Sequence, residues 1–219
     1  MSLDDKHAVR DSYNRIAAHY ADTYYDELSR KPFDRDLLAR FATRLRGQGP
    51  VWDLGTGPGH IARYLHDHGV EASGLDLSDE MVACARRLNP GIPFLQGTML
   101  ALPTGDASLA GITAFYSIIH LARAEAPTAL SEFWRALRPG GHLLLAFHGG
   151  AGEVHNDEWF GQPVDVTATL FTGDEMAAYA GDAGFALVER HERPPYDFEY
   201  QTQRIYLWVA KLETAQQER

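Results

Sequence analysis

Three observations in the 219-residue sequence predict an α/β domain built on a mostly parallel, doubly wound sheet. Short apolar runs alternate with amphipathic stretches over about 100 residues, a rhythm that calls for parallel strands covered by helices on both faces. A glycine-rich turn joins the first apolar run to the first amphipathic stretch. An aspartate ends the second run. The composition is that of a globular chain, 45% apolar and 23% charged. A chain this long buries roughly 70% of its extended surface, enough for one sizeable core. No linker, repeat or low-complexity segment divides it, so residues 1–219 are expected to form one domain.

The elements follow in order. His7 to about Arg30 is helix-like, with Ile16, Ala17, Tyr20 and Tyr24 returning at helical spacing. Pro32 punctuates, and Leu37, Leu38, Phe41 and Leu45 mark a second helix ended by Gly47 and Gly49. Residues 1–47 thus read as a helical cap. Residues 50–148 carry the alternation: strands at Val51–Leu54, Val70–Leu75, Ile92–Leu95, Leu109–Tyr116 and His142–Phe147. Helices are expected at Ile61–His68, at Asp79–Leu88 behind a Ser78 cap, and at Thr128–Leu137. The polar segment 149–171 is too long for an ordinary loop. After it come a helix at Gly173–Ala183 and strand-like runs at Phe185–Arg190 and Ile205–Ala210. With little but Pro194-Pro195 and polar residues between them, these runs suggest an antiparallel hairpin at one sheet edge, within a C-terminal part covering 172–212.

Charge and cysteine content narrow the function. Residues 51–219 hold 22 acidic against 11 basic groups, which would repel a polyphosphate, so no nucleic-acid partner is expected. A single cysteine, Cys84, excludes an internal disulfide framework and a cysteine-based zinc site. The longest apolar run, Leu143–Phe147, falls far short of the roughly 20 residues a spanning helix needs. The N-terminus lacks the features of a secretory signal. A cytoplasmic protein with no membrane partner, monomeric or homodimeric, is expected.

The most informative residues are Asp53-Leu54-Gly55-Thr56-Gly57-Pro58-Gly59, directly after the first strand. Glycines there let the backbone turn sharply and approach a ligand, at the strand ends where open parallel sheets bind ligands. A dinucleotide fingerprint would need glycine at position 60, which is His60. Pro58 lacks an N–H for a pyrophosphate, and no Gly-Lys-Ser/Thr ending marks a phosphate-binding loop. Asp76 ends the second strand about 20 residues after the turn, where a carboxylate can accept both hydroxyls of a ribose. The pair specifies a nucleoside without a pyrophosphate.

With Gly74-x-Asp76-x-Ser78, Leu102-Pro103 and Leu137-Arg138-Pro139-Gly140-Gly141, the turn resembles the class I S-adenosylmethionine-dependent methyltransferases of the small-molecule type, over residues 13–148. The resemblance implies a Rossmann-like, seven-stranded sheet with an antiparallel last strand. It implies S-adenosyl-L-methionine as cofactor, with Asp53, Gly55, Thr56, Gly57 and Gly59 at its methionine part and Asp76 on the ribose. Leu77 and Met81 would flank the adenine, beside the Gly97-Thr98-Met99 loop. Tyr116 and Ser117 would line the methionine end. Thr98 stands where the family usually has an acid, so its contact with the adenine amino group would lack charge assistance. The pattern Tyr13-x-x-x-Ala17-x-x-Tyr20 resembles the family's cap helix; both tyrosines share a face and point either into the site or into the core.

Methyl transfer needs alignment and exclusion of water, and a base chiefly when a hydroxyl or thiol must lose its proton. His120 and His148, after the fourth and fifth strands, are the candidate bases, with Tyr13 beside them. A structural hydrogen bond is the alternative for each histidine, and His66 and His68 are expected in solvent. No metal is expected, although His155, Asp157 and Glu158 cluster. Trp159 and Phe160, in a segment otherwise rich in turn residues, are expected to form a mobile lid over a small-molecule acceptor, with 149–171 as that lid. Tyr196 is expected at the same mouth, and Glu199 with Arg204 as a surface pair. A cofactor-binding protein without catalysis, and a methyltransferase acting on protein or RNA, remain alternatives.

Overall fold

The computed structural model describes residues 3–213. Helix α1 (Leu3–Tyr24) is followed by a separate 3-10 turn (Glu27–Arg30) and by α2 (Pro32–Leu45). The expected continuous first helix is therefore broken after Tyr24. Residues 23–26, Thr-Tyr-Tyr-Asp, are poor helix formers, and the side chain of Glu27 turns to Lys31 Nζ (2.8 Å) and His60 Nε2 (3.1 Å). Then come β1 (Pro50–Leu54), α3 (His60–Asp67), β2 (Glu71–Asp76), α4 (Asp79–Leu88), β3 (Phe94–Gln96) and β4 (Leu109–Phe115). Ser78 caps α4 by accepting from the Met81 N–H at 3.0 Å.

The second half holds α5 (Ala126–Ala136), β5 (Leu137–Gly149), β6 (Glu153–Trp159), β7 (Gln162–Thr169), α6 (Gly173–Asp182), β8 (Phe185–Arg193) and β9 (Gln203–Lys211). Seven strands form one sheet in the order β3-β2-β1-β4-β5-β9-β8. Strands β1 to β5 run parallel, and β9 runs antiparallel to both β5 and β8. The Rossmann-like sheet with one antiparallel strand is present as expected. Strand β5 begins at Leu137 rather than His142, because Leu137 already pairs with Leu109 across a bulge.

Side-chain alternation along β5 divides the core. Leu143, Leu145 and Phe147 pack beneath α5 and α6 with Ile112, Phe133 and Met176. Leu144 and Ala146 face the opposite layer, with Leu38 and Phe41 of α2 and Ile61 and Leu65 of α3. The strand order reverses between β1 and β4, which opens a crevice at their carboxyl ends.

The segment expected as a mobile lid folds into an antiparallel hairpin, β6–β7, outside the main sheet. Val164 and Val166 alternate inward from β7 onto Ile16 of α1. The Asp165 N–H donates to Ser12 Oγ (2.8 Å), and Arg15 donates to the Pro163 carbonyl. Helix α1 is thereby held between the hairpin and α4, where Ala17 meets Met81 and Cys84.

Candidate active site

The turn after β1 is fixed by backbone bonds: the N–H groups of Gly55 and Thr56 both donate to the Leu75 carbonyl, at 2.7 and 3.1 Å. Gly55 and Gly57 have φ of +65° and +52°, a region that favours glycine. A Cβ at Gly55 would fall 2.2 Å from Ser117 Cβ, so β4 can approach only because that side chain is missing. Asp76 ties the turn to the end of β2, its Oδ2 accepting from the Gly57 N–H (2.8 Å) and its Oδ1 from the Ser78 N–H (2.9 Å). Each oxygen keeps a lone pair for a further donor. Burial pushes the Asp76 carboxyl up to about 6, against those stabilising N–H bonds.

Behind the turn lies Asp53, accepting from Thr56 Oγ1 (2.6 Å) and Thr113 Oγ1 (2.8 Å). Burial raises its carboxyl to about 6 as well. With both oxygens engaged by threonines, Asp53 and Thr56 brace the turn from below and do not line the cleft. Gly59 is likewise a packing position, where a Cβ would strike Asn89 and Phe94.

In front of the turn is an open cleft, with about 810 Å³ of empty space when the solvent at its mouth is included. Asp76, Leu77 and Met81 form one wall, and Gly97, Thr98 and Met99 the next. Gly55, Gly57, Tyr116 and Ser117 close the far end. Thr98 Oγ1 accepts from the Leu100 N–H at 3.2 Å. Helix α1 roofs the cleft with Val9, Tyr13 and Tyr20. The donor set fits a nucleoside with a zwitterionic tail: a carboxylate for the ribose, apolar side chains for the base, and a glycine turn that a close-lying ligand requires.

The Methyltransferase domain family model matches residues 51–141. A malonyl-[acyl-carrier protein] O-methyltransferase of Pseudescherichia vulneris is 30% identical over 180 residues, 81% of this chain and 68% of the relative. The chain is a class I S-adenosylmethionine-dependent methyltransferase family member. The enzyme of the same name from Enterobacter lignolyticus is 36% identical over 143 residues, 65% of this chain. The chain spans about half of that relative's length, 53%. A solved Haloferax volcanii structure, of a methyltransferase in complex with the Trm112 methyltransferase activator, shares the fold. Its TM-score is 0.69 at 24% identity, over 94% of this chain and 98% of that one.

The family cleft gathers Tyr13, Tyr20 and His120 with the turn and Asp76, and leaves other expected residues outside. His120 and Tyr13 meet directly, with Tyr13 Oη 2.8 Å from His120 Nε2. The other ring nitrogen, Nδ1, lies 3.4 Å from the Thr167 carbonyl on β7. A carbonyl only accepts, so Nδ1 carries the proton and Nε2 accepts from the Tyr13 hydroxyl. Burial pushes the His120 imidazole down to about 4, so it is neutral, and holds the Tyr13 phenol well above its ordinary range.

His148 does not line the cleft. Its ring turns toward β9, with Nδ1 3.0 Å from Arg204 Nη1 and 2.6 Å from Thr202 Oγ1. Burial and the Arg204 charge push it down to about 3. Trp159 and Phe160 are also absent from the cleft wall. They press on the outer side of the roof, Trp159 against Tyr20 (5.6 Å between ring centres) and Tyr13 (6.1 Å), and Phe160 against Tyr24 (6.2 Å). Phe160 and Gly161 form the two-residue turn of the hairpin, both with positive φ, an unusual demand on a phenylalanine. Tyr196 lies farther off, its ring beneath Arg193 and its hydroxyl accepting from the Phe33 N–H at 3.4 Å.

Glu199 and Arg204 are not a surface pair: they are 8% and 3% exposed. They belong to a buried charge cluster under Tyr116 that includes Lys31, Asp34 and Arg193. Burial alone would raise Glu199, but Arg193 and the Tyr196 N–H hold it down at about 2. Asp34 accepts from the hydroxyls of Tyr206 (2.9 Å) and Tyr116 (3.3 Å). This anchors Tyr116, which has a strained φ of +54° at the end of β4. Lys31, Asp34 and Arg193 carried no local signal in sequence, since their partners lie up to 172 residues away. The apolar cleft residues Val9, Leu100, Phe115 and Leu121 were also unmarked, because each is equally at home in a core. Among the described residues no group of three or more His, Cys, Asp or Glu is placed to hold a metal, and no helix is long and apolar enough to cross a membrane.

Proposed function

We propose that the chain transfers a methyl group from S-adenosylmethionine to a small-molecule acceptor by in-line displacement. The observation that carries this reading is the convergence, in one cleft, of the Asp76 carboxylate, the Gly55–Gly57 turn and the Tyr13–His120 pair. The cofactor, when bound, supplies a methyl group on a good leaving group. Asp76 would hold the ribose hydroxyls, and the turn together with Tyr20, Tyr116 and Ser117 would hold the amino-acid end. Leu77, Met81 and the Gly97–Met99 loop would sandwich the base. The α1 roof would exclude water, and Tyr13 with His120 would handle an acceptor proton.

We extend the proposal to one catalytic unit spanning cap, core, hairpin and C-terminal strands. The acidic excess beyond residue 50 disfavours a nucleic-acid acceptor, and a buried free thiol at Cys84 suits the reducing cytoplasm. No membrane is required, and the unit acts as a monomer or as one half of a homodimer. The test is calorimetry with S-adenosylmethionine and S-adenosylhomocysteine, followed by a labelled-methyl screen across metabolite, peptide and RNA pools. Micromolar binding and label in the metabolite pool support the proposal. Binding without label in any pool would make this a cofactor-binding protein, and absence of binding would refute the site.

A further inference from the structure

We infer that the methyl acceptor is an uncharged, largely apolar molecule with a free hydroxyl, and that Tyr13 takes its proton by relay to His120. The inference rests on the methyl-transfer reading above. Its first support is charge. Among the described side chains lining the cleft, Asp76 alone is charged, and none is a lysine or arginine. The two cations described behind the Tyr116 ring are committed elsewhere. Lys31 Nζ sits behind the Tyr116 ring, 4.9 Å from its centre, and bonds Glu27. Arg204 lies 5.6 Å from the same ring and donates to the carbonyls of Tyr200 and Thr202. An anionic acceptor would be desolvated with no partner and face a carboxylate. A cationic one would face the cofactor's own positive charge. The malonyl group in the relatives' name ends in a carboxylate, so this cleft differs from what that acceptor would need.

The second support is hydrogen-bond direction. The Thr167 carbonyl fixes the proton on His120 Nδ1, Nε2 therefore accepts, and the Tyr13 hydroxyl must donate to it. Tyr13 Oη is left able only to accept, so the molecule beside it must bring a donor. The cleft lining includes Val9, Leu100, Phe115 and Leu121, which favours an apolar skeleton. In the step, the acceptor oxygen bonds the methyl carbon as the carbon–sulfur bond breaks, its electron pair staying on sulfur. The hydroxyl proton passes to Tyr13 Oη while the Tyr13 proton passes to His120 Nε2. One positive charge leaves the sulfonium and one appears on the imidazolium, so charge balances, and water later removes the proton. Tyr13 is the catalytic residue in this scheme. His120 is a positioning residue and proton store, oriented by the hairpin strand β7.

The experiment starts with calorimetry of the full chain with S-adenosylhomocysteine; if that ligand does not bind, the methyl-transfer reading fails and the acceptor inference is not what failed. On the loaded protein, 2-naphthol, 2-methoxynaphthalene and 2-naphthoate are then titrated as probes. The inference expects 2-naphthol to bind at least tenfold more tightly than 2-naphthoate and several-fold more tightly than the ether that lacks a donor. Tyr13→Phe should erase the advantage over the ether, leave S-adenosylhomocysteine affinity within about twofold, and cut methyl transfer to 2-naphthol at least 100-fold. His120→Ala should lower kcat with KM nearly constant, and added imidazole should restore part of it, which a purely structural histidine would not allow. Equal or tighter binding of the naphthoate, no binding of the naphthol, or undiminished turnover in Tyr13→Phe would each overturn the inference. The three-probe comparison on the unmodified chain stands even if a variant fails to fold.

Discussion

The floor and the roof of the cleft are built on different principles. The floor, from Asp53 to Gly59 with Asp76, is a backbone structure in which N–H groups donate to carbonyls and carboxylates within one strand–turn–helix unit and its neighbour. The roof is a layer of side chains, Val9, Tyr13 and Tyr20 on α1, held from outside by Trp159 and Phe160 and by the valines of β7. Floor positions tolerate almost no change in side chain because glycine geometry and buried carboxylates set them. Roof positions depend on packing volume. The floor is thus built for one invariant ligand, and the roof is the part that can be adapted to an acceptor.

The contrast can be broken most strongly at Ile16, fully buried between α1 and the hairpin. Ile16→Ala is expected to cost about 2–5 kcal/mol of stability. Hydrogen exchange should show protection lost across Glu153–Thr169 while β1 and β4 stay protected; equal loss in the sheet would mean that roof and floor are not separable. Next in size, Asp76→Ala should remove charge-assisted bonds of about 1.5–3 kcal/mol each. Calorimetry should then show cofactor affinity down at least tenfold, and unchanged affinity would place the ribose elsewhere.

A pH titration sharpens the comparison further. Asp76 must be ionised to accept from two hydroxyls, and its carboxyl titrates at about 6. Cofactor affinity should hold above that pH and fall up to tenfold per unit below it. The folding contribution has the opposite sign. Asp53 and Asp76 keep their protons up to about 6 in the folded chain, against an ordinary aspartate value of 3.8, so the folded state binds more protons in that window. Their contribution to stability therefore rises as pH falls from 6 toward 3.8. Denaturation of the ligand-free protein followed across pH 4–7 checks the sign, since a loss traced to these two groups by Asp→Asn variants would contradict it. The smallest effect is expected at Thr98→Asp, which adds charge assistance beside the base and should tighten cofactor binding by less than tenfold. A large loss of affinity would mean that Thr98 faces away.

The floor was legible in the sequence because its determinants are local: Gly55 and Gly57 signal their own backbone, Ser78 its own cap, and Asp76 its own strand end. The roof was legible only in part. Tyr13 and Tyr20 lie on one helix face and do reach the cleft, yet their support from Trp159 and Phe160 comes from roughly 140 residues away. The Val164-x-Val166 alternation and the Phe160-Gly161 turn were the available signs of a hairpin, masked by the polar residues of β6 around them. His120 lies in the turn after β4 and reaches the cleft, whereas His148 lies within the end of β5, where Thr202 and Arg204, at the start of β9, hold its ring away from it. Glu199 and Arg204 looked like solvated charges for the same reason: the residues that neutralise them sit on α2, on the turn before it and on β8.

The position of β9 bears on how the chain is made. The floor strands β1, β2 and β4 lie in the first 115 residues, so the ligand turn can form while the chain is still being synthesised. Strand β5 cannot be covered that early, because β9, which fills its open side, is the last strand to emerge. Until then Leu143 to Phe147 present an unpaired, wholly apolar edge, the kind of surface that templates aggregation. Premature termination between Gly149 and Gln203 would leave an intact ligand turn on a chain whose sheet is open at β5. Yield of soluble protein, rather than ligand affinity, is where the loss of the last strand would register.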